Sequence, residues 1–168
     1  MKINSTIFIV LLSILFIACG GKEEKKKDGF SVDRKKATEK VEETTPATNE
    51  VPASERITLD NKGVGQIKEI TLDPEINQEM VTAGAALFKT NCTACHKTDK
   101  RFIGPKMQGI LDRRSPEWVM NMILDPKLMT EEDQCAKDLL VEFNGAAMAN
   151  QNLTVEQSRQ LVEFFRTL

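Results

Sequence analysis

The chain carries one histidine, one tryptophan and no tyrosine in 168 residues. The single histidine, His96, excludes any site within one chain that needs two imidazoles. A membrane-spanning helix takes roughly 20 consecutive apolar residues, and the run from Ile7 to Ala18 offers only about a dozen. Neither sign of charge dominates: 23 Lys and Arg against 25 Asp and Glu leave a net charge of -2, without the basic excess that marks a nucleic-acid partner. Cys19, Cys92, Cys95 and Cys135 are too unevenly spaced to be the framework of a disulfide-stapled miniprotein, so each is read in its own setting.

What is present divides the chain into four parts. Residues 1–18, with Lys2 before the apolar run and Ala18 at its end, have the shape of a secretory signal peptide. A small residue followed by Cys19 is similar to the lipobox of bacterial lipoproteins, although Phe16 stands where that family usually has leucine. The resemblance implies a diacylated Cys19 that anchors an extracytoplasmic protein, facing the periplasm or the cell exterior, at a membrane. Residues 19–54 are rich in Lys, Glu and Thr and cannot bury enough apolar surface to offset their ordering entropy, which makes them a disordered tether. Residues 55–77 alternate short apolar patterns around Gly63 and Gly65 and read as an extended loop or weak hairpin against the domain that follows.

From residue 78 onward the apolar spacing is helical. Asp73-Pro74 suits the approach to a first helix from about Ile76, which carries Met80, Ala83, Leu87 and Phe88 toward Cys92. A second starts at Ser115-Pro116-Glu117 and runs to Asp125-Pro126. A third spans about Thr130 to Phe143, capped by Thr130, with Cys135 as a small buried hydrophobe and Gly145 as its stop. Thr154 and Gln157 have the spacing of a capping box for a last helix that presents Leu161, Val162, Phe164 and Phe165. The expected fold class over residues 78–168 is all-α.

Cys92-Thr93-Ala94-Cys95-His96 is the strong chemical signal, since two cysteines at this spacing followed by histidine read as c-type haem attachment. Two thiols add to the two vinyl groups of one porphyrin, and the adjacent histidine ligates iron from the same side. A zinc site normally takes four ligands; beyond the motif only Cys135 offers a thiolate, and no second histidine exists. A thioredoxin-like dithiol needs a βαβ context that the helical pattern does not supply.

With this motif, Gly84 and Phe88 ahead of it, Gly104-Pro105 after it and Met148 before the last helix, residues 78–168 resemble the small bacterial class I cytochromes c, in lipoprotein-anchored form. The resemblance implies three to five helices around one covalently bound haem c. Cys92 and Cys95 would hold the porphyrin, and His96 and Met148 would ligate the iron. Pro105 would accept a hydrogen bond from His96, and Gly84 would let the first and last helices cross. Arg113, Arg114 and the indole nitrogen of Trp118 would face the haem propionates. Proline often follows the ligand methionine in that family; Ala149 stands here. The implied activity is one-electron transfer between respiratory protein partners, a donor and a terminal oxidase or reductase, with no substrate transformed. A haem with an open distal face, acting on peroxide or a gas, is the competing class. Lys89, Lys97, Lys100, Arg101, Lys106, Arg113 and Arg114 suggest a basic rim that steers an acidic partner.

Overall fold

A computed structural model of the protein describes residues 51–168. The readings of residues 1–18, of Cys19 and of the tether as far as residue 50 lie outside the described residues. Among the described residues there are six helices and no strand: α1 (Gln78–Asn91), α2 (Ile110–Arg113), α3 (Pro116–Leu124), α4 (Pro126–Glu132), α5 (Gln134–Glu142) and α6 (Val155–Phe165). The excess over the expected number comes from short pieces. α2 is a single turn of 4 residues, and the helix expected over Thr130–Phe143 is two helices meeting at Asp133.

Local chemistry sets each boundary. Asn77, not Asp73-Pro74, starts α1: its Oδ1 accepts the amides of Glu79 and Met80, both at 3.0 Å. Ser115 caps α3 and proline follows it in the first turn, the position where the missing N–H costs nothing. Asp125 ends α3 and accepts from Leu128 N–H at 3.0 Å to start α4. Asp133 repeats this device for α5, accepting from Ala136 N–H at 2.8 Å. Thr130, expected as a cap, instead returns its hydroxyl to the Pro126 carbonyl at 2.9 Å. Thr154 and Gln157 form the expected capping box on α6.

The core forms where α6 crosses α1. A Cβ at Gly84 would overlap the Gln160 carbonyl of α6, so the two backbones touch as only glycine permits. Phe88 lies 5.6 Å from Phe164 and 5.9 Å from Phe165, centroid to centroid, the latter edge-on, the geometry aromatic quadrupoles favour. Trp118, Val119 and Ile123 extend this cluster into α3 and Ala136 into α5, with Leu161 of α6 among them.

Residues 51–72 form a strap laid over α3, α4 and α5, so of loop and hairpin it is the loop that forms. Its one ladder contact is an isolated parallel bridge between Thr58 and Arg114. Side chains stand in for a neighbouring strand. Asn121 accepts from Ile67 N–H at 3.0 Å and donates to the Ile67 and Lys62 carbonyls at 2.9 and 3.0 Å. Met129 Sδ accepts from Val64 N–H at 3.1 Å. Gly63, at φ 70°, is held so close that a Cβ would lie 2.7 Å from Met129 Cε. The strap begins earlier than the boundary at residue 54 implies. Ala53 is buried, and the Ser54 amide and hydroxyl both donate to Glu142, each at 2.7 Å.

A buried ion network locks the far end. Glu163 is fully buried. Burial raises its pKa, but the Asn77 amide at 2.8 Å and the Arg159 and Arg166 guanidiniums outweigh that and hold it below the ordinary value. Arg166 also binds the Asp73 and Pro74 carbonyls at 2.7 and 3.2 Å. A carboxyl whose folded pKa lies below its unfolded one stabilises fully above the unfolded value, and that contribution fades as pH falls through the folded value. Glu163→Gln should therefore cost about 2–4 kcal/mol at pH 7, with the gap from wild type closing as pH falls below about 4. Denaturant unfolding across pH tests this; a gap that stays constant into acid would overturn the ionised reading.

Candidate functional site

The Cys92–His96 segment continues from the last turn of α1. Cys92 N–H donates to the Phe88 carbonyl at 2.9 Å, and the amides of Cys95 and His96 both return to the Cys92 carbonyl, at 3.0 and 2.8 Å. This tight turn brings Cys92, Cys95 and His96 together in the lining of one cleft. Phe88 and Phe165 from the helix crossing, Val119 and Ile123 from α3, and Leu139 and Leu140 from α5 make its lining mainly apolar.

His96 is held from behind. Its Nδ1 lies 3.0 Å from the Pro105 carbonyl oxygen, which only accepts, so Nδ1 carries the proton and Nε2 keeps its lone pair. Burial lowers the ring's pKa against the opposing pull of that carbonyl, which favours the neutral imidazole a metal needs. Gly104 N–H donates to the Cys95 carbonyl at 2.9 Å, and a Cβ at Gly104 would lie 2.6 Å from His96 Cε1. The Gly104-Pro105 pair thus both seats the ring and orients it.

Burial, helped by Cys95, pushes the Cys92 thiol up to about 11, the opposite direction from the depressed values of reactive dithiols. Among the described residues no three His, Cys, Asp or Glu side chains cluster to hold a metal ion. Cys135 is buried on α5 as expected, its Sγ 4.0 Å from Thr58 Oγ1.

Met148, from the loop between α5 and α6, lines the cleft, and Met107 and Met122 line it too. Met129 is engaged by the strap. Arg114 and Trp118 also line the cleft, but the expectation for the indole nitrogen needs correction. Trp118 Nε1 donates to Asp133 Oδ1 at 3.0 Å, buried on both sides, so that N–H is not available to a propionate. The basic rim is smaller than the sequence suggests. Arg113 and Arg114 are buried, Arg101 pairs with Glu142 at 2.8 Å and Lys106 with Glu55 at 3.4 Å. Lys89 and Lys100 remain exposed.

A cleft with these residues in its lining can hold a flat prosthetic group through two sulfurs and a nitrogen ligand. The model of the cytochrome c family matches residues 81–168. The chain belongs to the cytochrome c family. Among solved structures it is similar to cytochrome c from Rhodothermus marinus, at 34% identity and TM-score 0.60, over 69% of this chain and 92% of that one. An engineered form of that cytochrome bound to a carbene intermediate matches at 34% identity and TM-score 0.58, over 69% of this chain and 93% of that one. Comparison with curated proteins found no match. The fold is that of a class I monohaem c-type cytochrome, a haem protein of electron transfer that carries one covalently attached haem c.

The residues present fit that group. Besides its apolar walls, the cleft has in its lining a buried arginine, Arg114, whose Nε finds no hydrogen-bond partner. Neither Arg113 nor Arg114 forms an ion pair with a carboxylate among the described residues. Buried cations of this kind call for anions, and a haem brings two carboxylates.

Sequence reasoning missed the polar residues that make the pocket stiff. Asp133, Asn121 and Glu117 sit among apolar neighbours on the helices, where composition alone marks them as surface. Their only local signal was Asp133 three residues before Ala136, an N-cap spacing that Thr130 obscured. Gly104→Ala should push the His96 ring off its Pro105 contact and cost about 1–3 kcal/mol, read by denaturant unfolding of the haem-loaded protein. Unchanged stability would mean that the ring does not depend on this glycine.

Proposed function

We propose that the chain is a membrane-tethered, extracytoplasmic monohaem cytochrome c that passes one electron at a time between respiratory protein partners. Cys92 and Cys95 hold the porphyrin by thioether bonds, His96 Nε2 ligates the iron on one face and Met148 on the other. The observation that carries this reading is the Nδ1 contact of His96 with the Pro105 carbonyl at 3.0 Å, because it leaves a neutral ring with a free lone pair in the lining that Cys92 and Cys95 share. When bound, the haem supplies a one-electron ferric–ferrous couple. The chain's own residues tune it: Pro105 raises the basicity of His96, apolar walls exclude water, and a thioether ligand favours the ferrous form and raises the potential.

Among Met107, Met122 and Met148, the last is favoured by its place on a loop rather than in a packed helix or core. Met107 is buried within the core cluster and Met122 belongs to α3. With one histidine in the chain, no second imidazole competes for the iron.

The test is optical. The ferric wild type should show the weak long-wavelength band of iron–methionine bonding, and its ferrous form should resist carbon monoxide. Met148→Ala should lose that band and bind carbon monoxide, whereas Met107→Leu and Met122→Leu keep it. Loss in either leucine variant, with retention in Met148→Ala, would reassign the ligand. An absent band with ready carbon monoxide binding in wild type would favour a ligand-binding role.

The tether reading rests on Cys19, which follows an apolar run that ends in Ala18. No helix among the described residues is long and apolar enough to cross a membrane. Expressed with its leader, the wild type should incorporate labelled fatty acid and sediment with membranes. Cys19→Ser should do neither; label retained in that variant would remove the lipid anchor from the proposal.

A further inference from the structure

Residues 144–153, which carry Met148, contain no proline, and Ala146, Ala147 and Ala149 around the methionine are exposed. With no ring to fix a backbone angle, the segment is held from its ends. At the far end Asn150 Nδ2 donates to the Leu124 carbonyl at 3.1 Å, and the capping box at Thr154 follows. At the near end the chain leaves α5 through a left-handed pair, Asn144 at φ 55° and Gly145 at φ 77°. The Gly145 amide returns to the Leu140 carbonyl at 2.8 Å and that of Ala146 to the Phe143 carbonyl at 3.1 Å. The last turn of α5 therefore sets the direction in which the Met148 loop departs.

Arg101 grips that turn from 41 positions earlier in the chain. Its Nη1 donates to Glu142 Oε1 and its Nη2 to the Glu142 carbonyl, both at 2.8 Å, and its guanidinium carbon lies 4.0 Å from the centroid of the Phe143 ring. One planar fork thus takes a carboxylate together with a carbonyl that the helix end leaves unpaired, at the end where the helix dipole also favours a cation. The acceptor is itself fixed, since Glu142 receives the Ser54 amide and hydroxyl, each at 2.7 Å. Arg101 in turn opens the segment that orients His96: Phe102 N–H donates to the Gly104 carbonyl at 3.0 Å, Gly104 N–H to that of Cys95 at 2.9 Å, and the Pro105 carbonyl meets His96 Nδ1. Phe143 lines the haem cleft, and with Arg101, Glu142 and Pro105 it also lines a second hollow.

We propose that Arg101 is a positioning residue for the second iron ligand: its grip on Glu142 and Phe143 ties the segment that orients His96 to the root of the loop that carries Met148, and so keeps that methionine in place. The inference rests on the Met148 reading above and goes beyond it, because it makes the supports of the two ligands one unit. A loop that swings away leaves the iron open to an outside ligand, and the apparent affinity of that ligand follows the open fraction. Releasing the grip is therefore read as easier entry of a competitor. The Arg101 side chain is 53% exposed, so solvent screens the charge attraction, and the hold comes chiefly from the two aligned, charge-assisted hydrogen bonds.

The experiment titrates the ferric, haem-loaded, full-length protein with imidazole, which competes with the methionine for iron, and follows the long-wavelength band. Arg101→Gln and Glu142→Gln should each tighten imidazole binding on the order of threefold to tenfold, and the double variant should exceed the larger single effect by little. Asp138→Asn, one turn earlier on α5, removes the ion pair of the strap with Arg56 without touching Arg101, and should leave imidazole affinity at its wild-type value. If Arg101→Gln does not fold, Arg101→Lys keeps the charge without the fork and should shift affinity the same way by less. Arg101→Gln that lowers the unfolding midpoint but leaves imidazole affinity unchanged would make the pair purely structural and overturn the proposal. Additive single effects, or an equal shift in Asp138→Asn, would overturn it too, and in all these cases the band in wild type leaves the Met148 reading standing. A wild type without the band would fell both.

Discussion

Because Gly84 brings no side chain to the crossing, the α6 backbone at Gln160 rests directly on α1, and the position of the site follows from that contact. The crossing fixes the axis of α1, whose end carries Cys92. It also turns Phe88 and Phe165 into the cleft as its inner wall. A larger residue at Gly84 would have to separate the helices, and the thiols that follow the end of α1 would move with it. The polar lock at the other end of the same pair, Glu163 with the Asn77 amide and two arginines, prevents the helices from sliding along each other. Direct backbone contact and a buried carboxylate are stiff in different directions, and together they define where one wall of the site stands.

Charge inside the domain is sorted by what surrounds it. Glu163 is answered by two guanidiniums and an amide, and Asp133 by an indole, an amide and a carboxamide. Arg113 and Arg114 alone are answered only by carbonyls. A buried carboxylate surrounded by donors is self-sufficient, whereas a buried guanidinium surrounded by neutral dipoles is not. That contrast separates residues that build the frame from those that await a ligand.

The sequence made the chemistry more legible than the architecture around it. The Cys92–His96 motif and the α6 capping box depend on residues within a few positions of one another, and the Pro105 contact and the Gly84 crossing were implied by the family resemblance. Errors arose where a side chain had two uses. The family resemblance implied a propionate for the Trp118 indole; the structure gives that indole to Asp133, fifteen positions away. Thr130 looked like a cap, but Asp133 captures that role because the same carboxylate also collects Asn61 from the strap. Arg113 and Arg114 were placed in the basic rim as well as at the propionates, and nothing local reveals that both are buried. Each miss required a partner distant in sequence.

The strap is what most changes the picture of the domain. The family model begins at residue 81, yet the likeness to the Rhodothermus marinus structure covers 69% of this chain, more than residues 81–168 can supply, so that likeness extends outside the family core. Physically the reason is plain. An extended segment has no ladder of its own here, and side chains of α3, α4 and α5 take four of its amides: Glu117, Asn121, Met129 and Glu142. Those helices in turn would expose Glu117, Asn121 and Asp133 to no purpose without it. A polar stripe on three short helices and a backbone with nothing to pair with solve each other's problem, and in doing so they deliver two carbonyls to the only cation in the lining of the cleft that lacks an anionic partner among the described residues.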